Sequence, residues 1–176
     1  MRWAAMLRAI NVGGRKLPMG DLRAFATTLG LEEPRTLLAS GNLVFGSSET
    51  DAAKLEQSLE EEVARHFGLR TEFLLRSADD LRAVVAANPF IDAADAHPSR
   101  LLVHFHREPI PADYVGALEA DNKGPERLAA TGRELYVDYT DGVGVSTLDR
   151  VMKLARHRRL NTARNWNTVG KLLAML

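Results

Sequence analysis

Two hydrophobic periodicities alternate along residues 1–76, and their order restricts the fold more than any other feature. An apolar run at residues 3–7 predicts a strand over 2–10. Leu22, Phe25, Ala26 and Leu29 recur at helical spacing, predicting a helix over 18–29 that Pro18 opens and Gly30 stops. Short strands at 35–39 and 43–46 flank Ser40-Gly41-Asn42, which reads as a hairpin turn. Leu55, Leu59, Val63 and Phe67 stripe a helix over 51–67, ended by Gly68, and a strand over 70–75 follows. Strand, helix, strand, strand, helix, strand is the ferredoxin-like plan. Right-handed crossovers then place both helices on one face of a four-stranded sheet.

The second half starts from a capped helix, with Ser77 and Asp80 in capping-box spacing, Leu81, Val84 and Val85 behind them, and Asn88-Pro89 as the stop. Strand 100–106, helix 111–120, and a hairpin of strands 127–130 and 134–139 about Thr131-Gly132-Arg133 follow. A capped helix runs from Ser146-Thr147 to about 157. The last helix starts near Asn165 and turns Val169, Leu172, Leu173 and Leu176 inward. The expectation is an α+β protein of two ferredoxin-like subdomains, the second less regular. Residues 1–76 form the N-terminal subdomain and 77–176 a C-terminal α/β subdomain whose terminal helices complete the seam.

Composition narrows the chemistry. The 176 residues contain no cysteine, which removes disulfides, thiol nucleophiles and zinc–thiolate sites. No apolar run reaches the roughly 18–20 residues that span a bilayer, and polar residues after Leu7 break any signal-peptide pattern. A cytoplasmic protein with no membrane partner is expected. The formal net charge is zero, yet residues 150–176 carry seven Lys/Arg and no Asp/Glu. That region faces either an external anion or the acidic part of its own chain, such as Glu60-Glu61-Glu62.

Three polar segments are candidates for a site. The first is Arg8-Ala9-Ile10-Asn11-Val12-Gly13-Gly14-Arg15-Lys16, a strand end running into a glycine turn and a helix start. Successive N–H groups of Gly13 and Gly14 would form an anion nest charged by Arg8, Arg15 and Lys16. Neither Walker A nor G-x-G-x-x-G spacing is present, and a tight turn explains the glycines equally. The second segment is Ser40-Gly41-Asn42; Ser40 lacks a nucleophile elbow or a local base. The third is 161–168, where Thr162 or Asn165 would cap the last helix and Arg164 would add a donor fork. There, Trp166 would stack on a ligand or anchor the helix. His104 and His106 share one strand face but lack a third ligand, so no metal is assigned. The basic residues Arg150, Lys153, Arg156, His157 and Arg159 would track phosphates, without the interleaved aromatics that stack bases.

The segments Leu7-Arg8-Ala9-Ile10-Asn11-Val12-Gly13-Gly14, Leu17-Pro18-Met19 with Leu22, and Ser40-Gly41-Asn42-Leu43-Val44-Phe45 resemble the N-terminal signature of the domain-of-unknown-function 1697 family. Thr162-Ala163-Arg164-Asn165-Trp166-Asn167-Thr168-Val169 with Lys171-Leu172 resembles its C-terminal signature, Ala163 standing where Thr is frequent. The resemblance implies two ferredoxin-like subdomains and no stated activity. It carries over Arg8, Asn11, Gly13, Gly14, Pro18, Met19, Ser40, Gly41, Asn42, Arg164, Asn165, Trp166, Asn167 and Thr168 as signature residues.

Three functional expectations follow. A small anionic or polar ligand, phosphate-bearing compounds included, would bind in a cleft between the subdomains. Gly13 and Gly14 would offer N–H groups there, with Arg8 and Arg164 as charged donors and Ser40, Asn42, Asn11, Asn165, Asn167, Thr168 and Trp166 completing the site. Alternatively, the signature residues are architectural and the chain is a structural or interaction module. The third expectation is weak nucleic-acid binding by the basic C-terminal face. No acid–base pair, nucleophile, cofactor or metal is assigned, and enzyme status stays open.

Overall fold

The computed structural model describes residues 1–14 and 16–176; Arg15, expected to charge the glycine turn, lies outside the described residues. The chain divides into two compact units, Met1–Ala83 with Lys171–Leu176, and Val84–Gly170.

The first unit contains β1 (Arg2–Leu7), α1 (Met19–Thr28), β2 (Glu32–Thr36), β3 (Asn42–Gly46), α2 (Ala52–Phe67) and β4 (Phe73–Ser77). The antiparallel sheet has the order β2-β3-β1-β4, with Ala4 opposite Val44 on one side and Arg76 on the other. Alternation along the strands sends Trp3, Ala5, Leu7, Leu43, Phe45, Phe73 and Leu75 to one face. There they pack with Leu22, Phe25 and Ala26 of α1 and Leu55, Leu59 and Val63 of α2. The other face carries Ala4, Met6, Val44, Leu74 and Arg76, also buried. Asp51 caps α2, its carboxylate accepting from the Ala53 and Lys54 N–H groups.

The second unit repeats that topology. It contains β5 (Leu101–His106), α5 (Tyr114–Asp121), β6 (Arg127–Thr131), β7 (Glu134–Asp138), α6 (Leu148–Met152) and β8 (Asn161–Asn165), in the order β6-β7-β5-β8. Two helices, α3 (Ala78–Ala86) and α4 (Ile91–Ala96), precede β5, and α7 (Trp166–Met175) follows β8. The core packs Leu135, Val137 and Tyr139 against Tyr114, Leu118, Leu148 and Met152. Both sheets are thus flanked by helices, as two ferredoxin-like subdomains require.

Several elements differ from the sequence expectation. The first strand ends at Leu7 because Ala9 (φ +52°) and Asn11 (φ +55°) take left-handed backbone that a ladder cannot hold. The second strand shifts to Glu32–Thr36, with an irregularity between Glu32 and Arg35 and Leu38 left-handed at φ +60°. The fourth shifts to Phe73–Ser77, running up to the Ser77 cap. Residues 161–165 are a strand rather than a polar lead-in, paired with β5 through Val103 opposite Arg164. The helix after Ser146 ends at Met152, where the Lys153 N–H divides between the Asp149 and Arg150 carbonyls. The expected basic helical face over 150–159 therefore does not form. Among the described residues no helix is long and apolar enough to cross a membrane.

Candidate functional site

The loop joining β1 to α1 carries the first signature, and Asn11 holds it. Its amide nitrogen donates to the carbonyls of Leu17 (3.1 Å) and Ala39 (2.7 Å), and its Oδ1 accepts from the Leu17 N–H (2.9 Å). One side chain thereby closes its own loop and ties it to the β2–β3 hairpin. Beyond it, Gly13 and Gly14 take φ of +57° and +86°, are exposed, and would meet nothing within 4 Å if given a Cβ. No backbone bond uses their N–H groups among the described residues. Arg8, partly exposed, pairs with Glu72 at 3.3 Å, and its carbonyl accepts from the Thr71 hydroxyl at 2.7 Å.

The hairpin signature is buried structure. Asn42 is fully buried; its amide donates to the Leu37 carbonyl (2.7 Å) and the Ser40 hydroxyl (3.2 Å). Gly41 sits at φ +81°, and a Cβ there would lie 2.4 Å from Ile10 Cδ1, so both its conformation and its contact demand glycine.

The third signature lies in the second unit. Arg164 is buried on β8; its Nη1 donates to the Thr162 hydroxyl (2.9 Å) and the Ala163 carbonyl (2.8 Å). Burial pushes its guanidinium down to about 10, which leaves it charged at neutral pH. Asn165 caps α7, its Oδ1 accepting from the Thr168 N–H and hydroxyl at 3.0 and 2.9 Å. Trp166 is half-buried and Asn167 exposed. Asn11 thus joins the glycine turn to the hairpin that carries Ser40 and Asn42, while Arg8 turns to Glu72 beside β4 on the other side of β1. Arg164, Asn165, Trp166, Asn167 and Thr168 share one strand–helix junction of the second unit.

Arg164 also has a counterpart. Arg76 occupies the same ladder position in the first unit's fourth strand, is buried, and donates from Nη1 to the Leu75 carbonyl at 2.8 Å. Ser77 after it accepts from the Asp80 N–H (3.1 Å), while Asp80 accepts from the Ser77 N–H (2.8 Å), closing the capping box. Each fourth strand therefore ends in a buried arginine followed by an N-cap.

The histidines of β5 are hydrogen-bonded core groups. His104 bridges Asn161 Oδ1 and the Tyr139 hydroxyl, both at 3.2 Å, an arrangement a neutral ring satisfies by donating from Nδ1 and accepting at Nε2. Two His–Asp pairs escaped the sequence reading. His97 Nε2 lies 2.9 Å from the buried Asp138, which also takes Arg127, and His157 Nε2 lies 2.5 Å from Asp121, which also takes Arg156. Arg156 first, then His157, holds the Asp121 carboxyl down to about 2. Each pair joins residues about 40 positions apart, a separation carrying no local signal. Neither ring nitrogen has a hydroxyl against it among the described residues, and no three His, Asp or Glu side chains converge there to hold a metal.

The whole fold has a solved likeness. A conserved bacterial protein, SP0830 from Streptococcus pneumoniae, superposes with a TM-score of 0.75 at 28% identity, over 99% of this chain and 97% of that one. No curated protein matches the chain. The family model described as "Protein of unknown function (DUF1697)" matches residues 1–136, and the chain belongs to that family.

Proposed function

We propose that the protein binds a small anionic or polar ligand, received in the first unit by the loop between β1 and α1, in a cytoplasmic setting. The observation that carries this reading is the pair Gly13 and Gly14: left-handed, exposed, with open space around both, on a loop that Asn11 fixes at two points. A fixed loop with unengaged N–H groups binds an anion without paying for ordering first. Arg8, paired with Glu72 at the start of the loop, supplies charge from the β1 end.

A second reading, that the signature residues are architectural, is favoured by how the asparagines are used. Asn11, Asn42 and Asn165 each bond to backbone of their own unit. The two readings separate in a thermal-shift screen against inorganic phosphate, sulfate, sugar phosphates and nucleotides. A ligand at a hundredfold excess over its Kd adds roughly 2.7 kcal/mol, a rise of several degrees. Binding by the loop predicts a rise that Arg8→Ala diminishes while Asn11→Ala lowers the ligand-free midpoint. A rise that Arg8→Ala leaves undiminished removes the loop reading; no rise with any anion leaves the architectural one.

A further inference from the structure

Two adjacent arginines of the second unit stand apart from neighbouring cations that carboxylates hold. Lys153 pairs with Asp149, Arg156 and His157 share Asp121, and Arg127 is held by Asp92 and Asp138. Arg158 and Arg159 have no carboxylate partner among the described residues. Together with His106, Arg107, Glu108 and Leu160 they line a cavity of about 230 Å³.

The cavity opens where β5 leaves its sheet and β8 enters it. The Arg107 N–H donates to the Leu160 carbonyl at 3.3 Å and fixes the two walls against each other. Arg159 is held in place: Nη2 donates to the Pro109 carbonyl at 2.7 Å, and the guanidinium lies over the Tyr114 ring, 5.7 Å from its centre. Its Nε is buried with no acceptor among the described residues. A buried N–H of a cation is costly to leave unsatisfied. The His106 wall adds no charge at neutral pH, because burial pushes its imidazole down to about 4.

We propose that this cavity is a binding site for a small phosphate-type oxyanion. Arg159 is the positioned donor and Arg158 closes from the solvent side. Guanidinium forks match tetrahedral oxyanions, and bonds between two charged groups are the strong ones. The volume falls below the roughly 300–1,000 Å³ of pockets for drug-sized ligands. It therefore selects free phosphate or a compact phosphomonoester over a dinucleotide. Glu108 is the one acid in the lining and opposes binding. The site shares no residue with the glycine loop, so the two proposals stand or fall separately.

The test is a calorimetric titration of the full chain with inorganic phosphate and, in a second arm, a sugar phosphate, at ionic strength held constant with chloride. Saturable binding is expected in at least one arm, weakened tenfold or more by Arg159→Gln and tightened several-fold by Glu108→Gln. Inorganic phosphate alone marks a free-ion site, and tighter sugar phosphate marks a monoester site. Glu108→Gln, an exposed change, keeps the test decisive if Arg159→Gln misfolds. The proposal is overturned by no saturable binding in either arm, or by affinities that ignore both cavity variants. Loss on Arg8→Ala with retention on Arg159→Gln, or binding of oligonucleotides alone, overturns it as well.

Discussion

The His104–His106 pair shows a polar residue set by its surroundings rather than by its type. Both rings are buried, and burial, the largest effect on each, lowers their affinity for protons. His106 is further disfavoured by neighbouring His104 and Arg159, and its Nδ1–H donates to the His104 carbonyl at 3.1 Å. A folded-state value of about 4, against about 6.5 in the unfolded chain, means the unfolded state binds more protons between those values. Stability is therefore full above pH 6.5 and falls as pH drops toward 4, by about 3 kcal/mol for His106 alone. Urea unfolding at pH 7 and pH 4 measures the drop. His106→Gln should flatten the curve across that window, and an equally steep curve in the variant would refute the assignment.

At the scale of elements, the edge strand β4 is guarded by a helix. Glu56 and Glu60, one turn apart on α2, accept from the Leu75 N–H (2.7 Å) and the Phe73 N–H (2.9 Å). Two outward-facing donors that would otherwise template pairing with another chain are thereby occupied. Glu56→Ala and Glu60→Ala should each lower stability by about 1–2 kcal/mol. The double variant should also scatter more light with time at high concentration; a double variant that stays monodisperse would show the edge needs no guard. Elements with a hydrophobic stripe and a stop or cap were legible in the sequence: α2 with its Leu55-Leu59-Val63 stripe and Gly68, α3 with Ser77 and Asp80, β1 with its apolar run and β5 with its alternation. Strand β8 was not, because its two inward positions are Thr162 and Arg164, an alternation without apolar residues to announce it. The short helix α4, six residues with Ala93 as its buried member, carries too little stripe to register. Of the candidate sites, the glycine turn and hairpin were legible from residue type. The arginine-lined cavity joins segments about 50 residues apart, which a linear reading separates.

At the scale of the molecule, the first unit is not one stretch of chain. It closes with Lys171–Leu176, where Leu172 is fully buried and the Met175 carbonyl accepts from the Arg35 guanidinium. Ending the chain at Gly170 should cost the first unit about 2–3 kcal/mol through the lost Leu172 alone. Amide exchange in residues 1–83 should quicken accordingly, and exchange unchanged there would contradict the assignment. The same interruption sets a schedule for synthesis. Residues 1–83 leave the ribosome first, yet their unit waits for residues made after all of Val84–Gly170. At ordinary elongation rates that delay is on the order of ten seconds. Throughout it the nascent first unit lacks its last helical segment, and the interval is one in which a chaperone would find it incomplete.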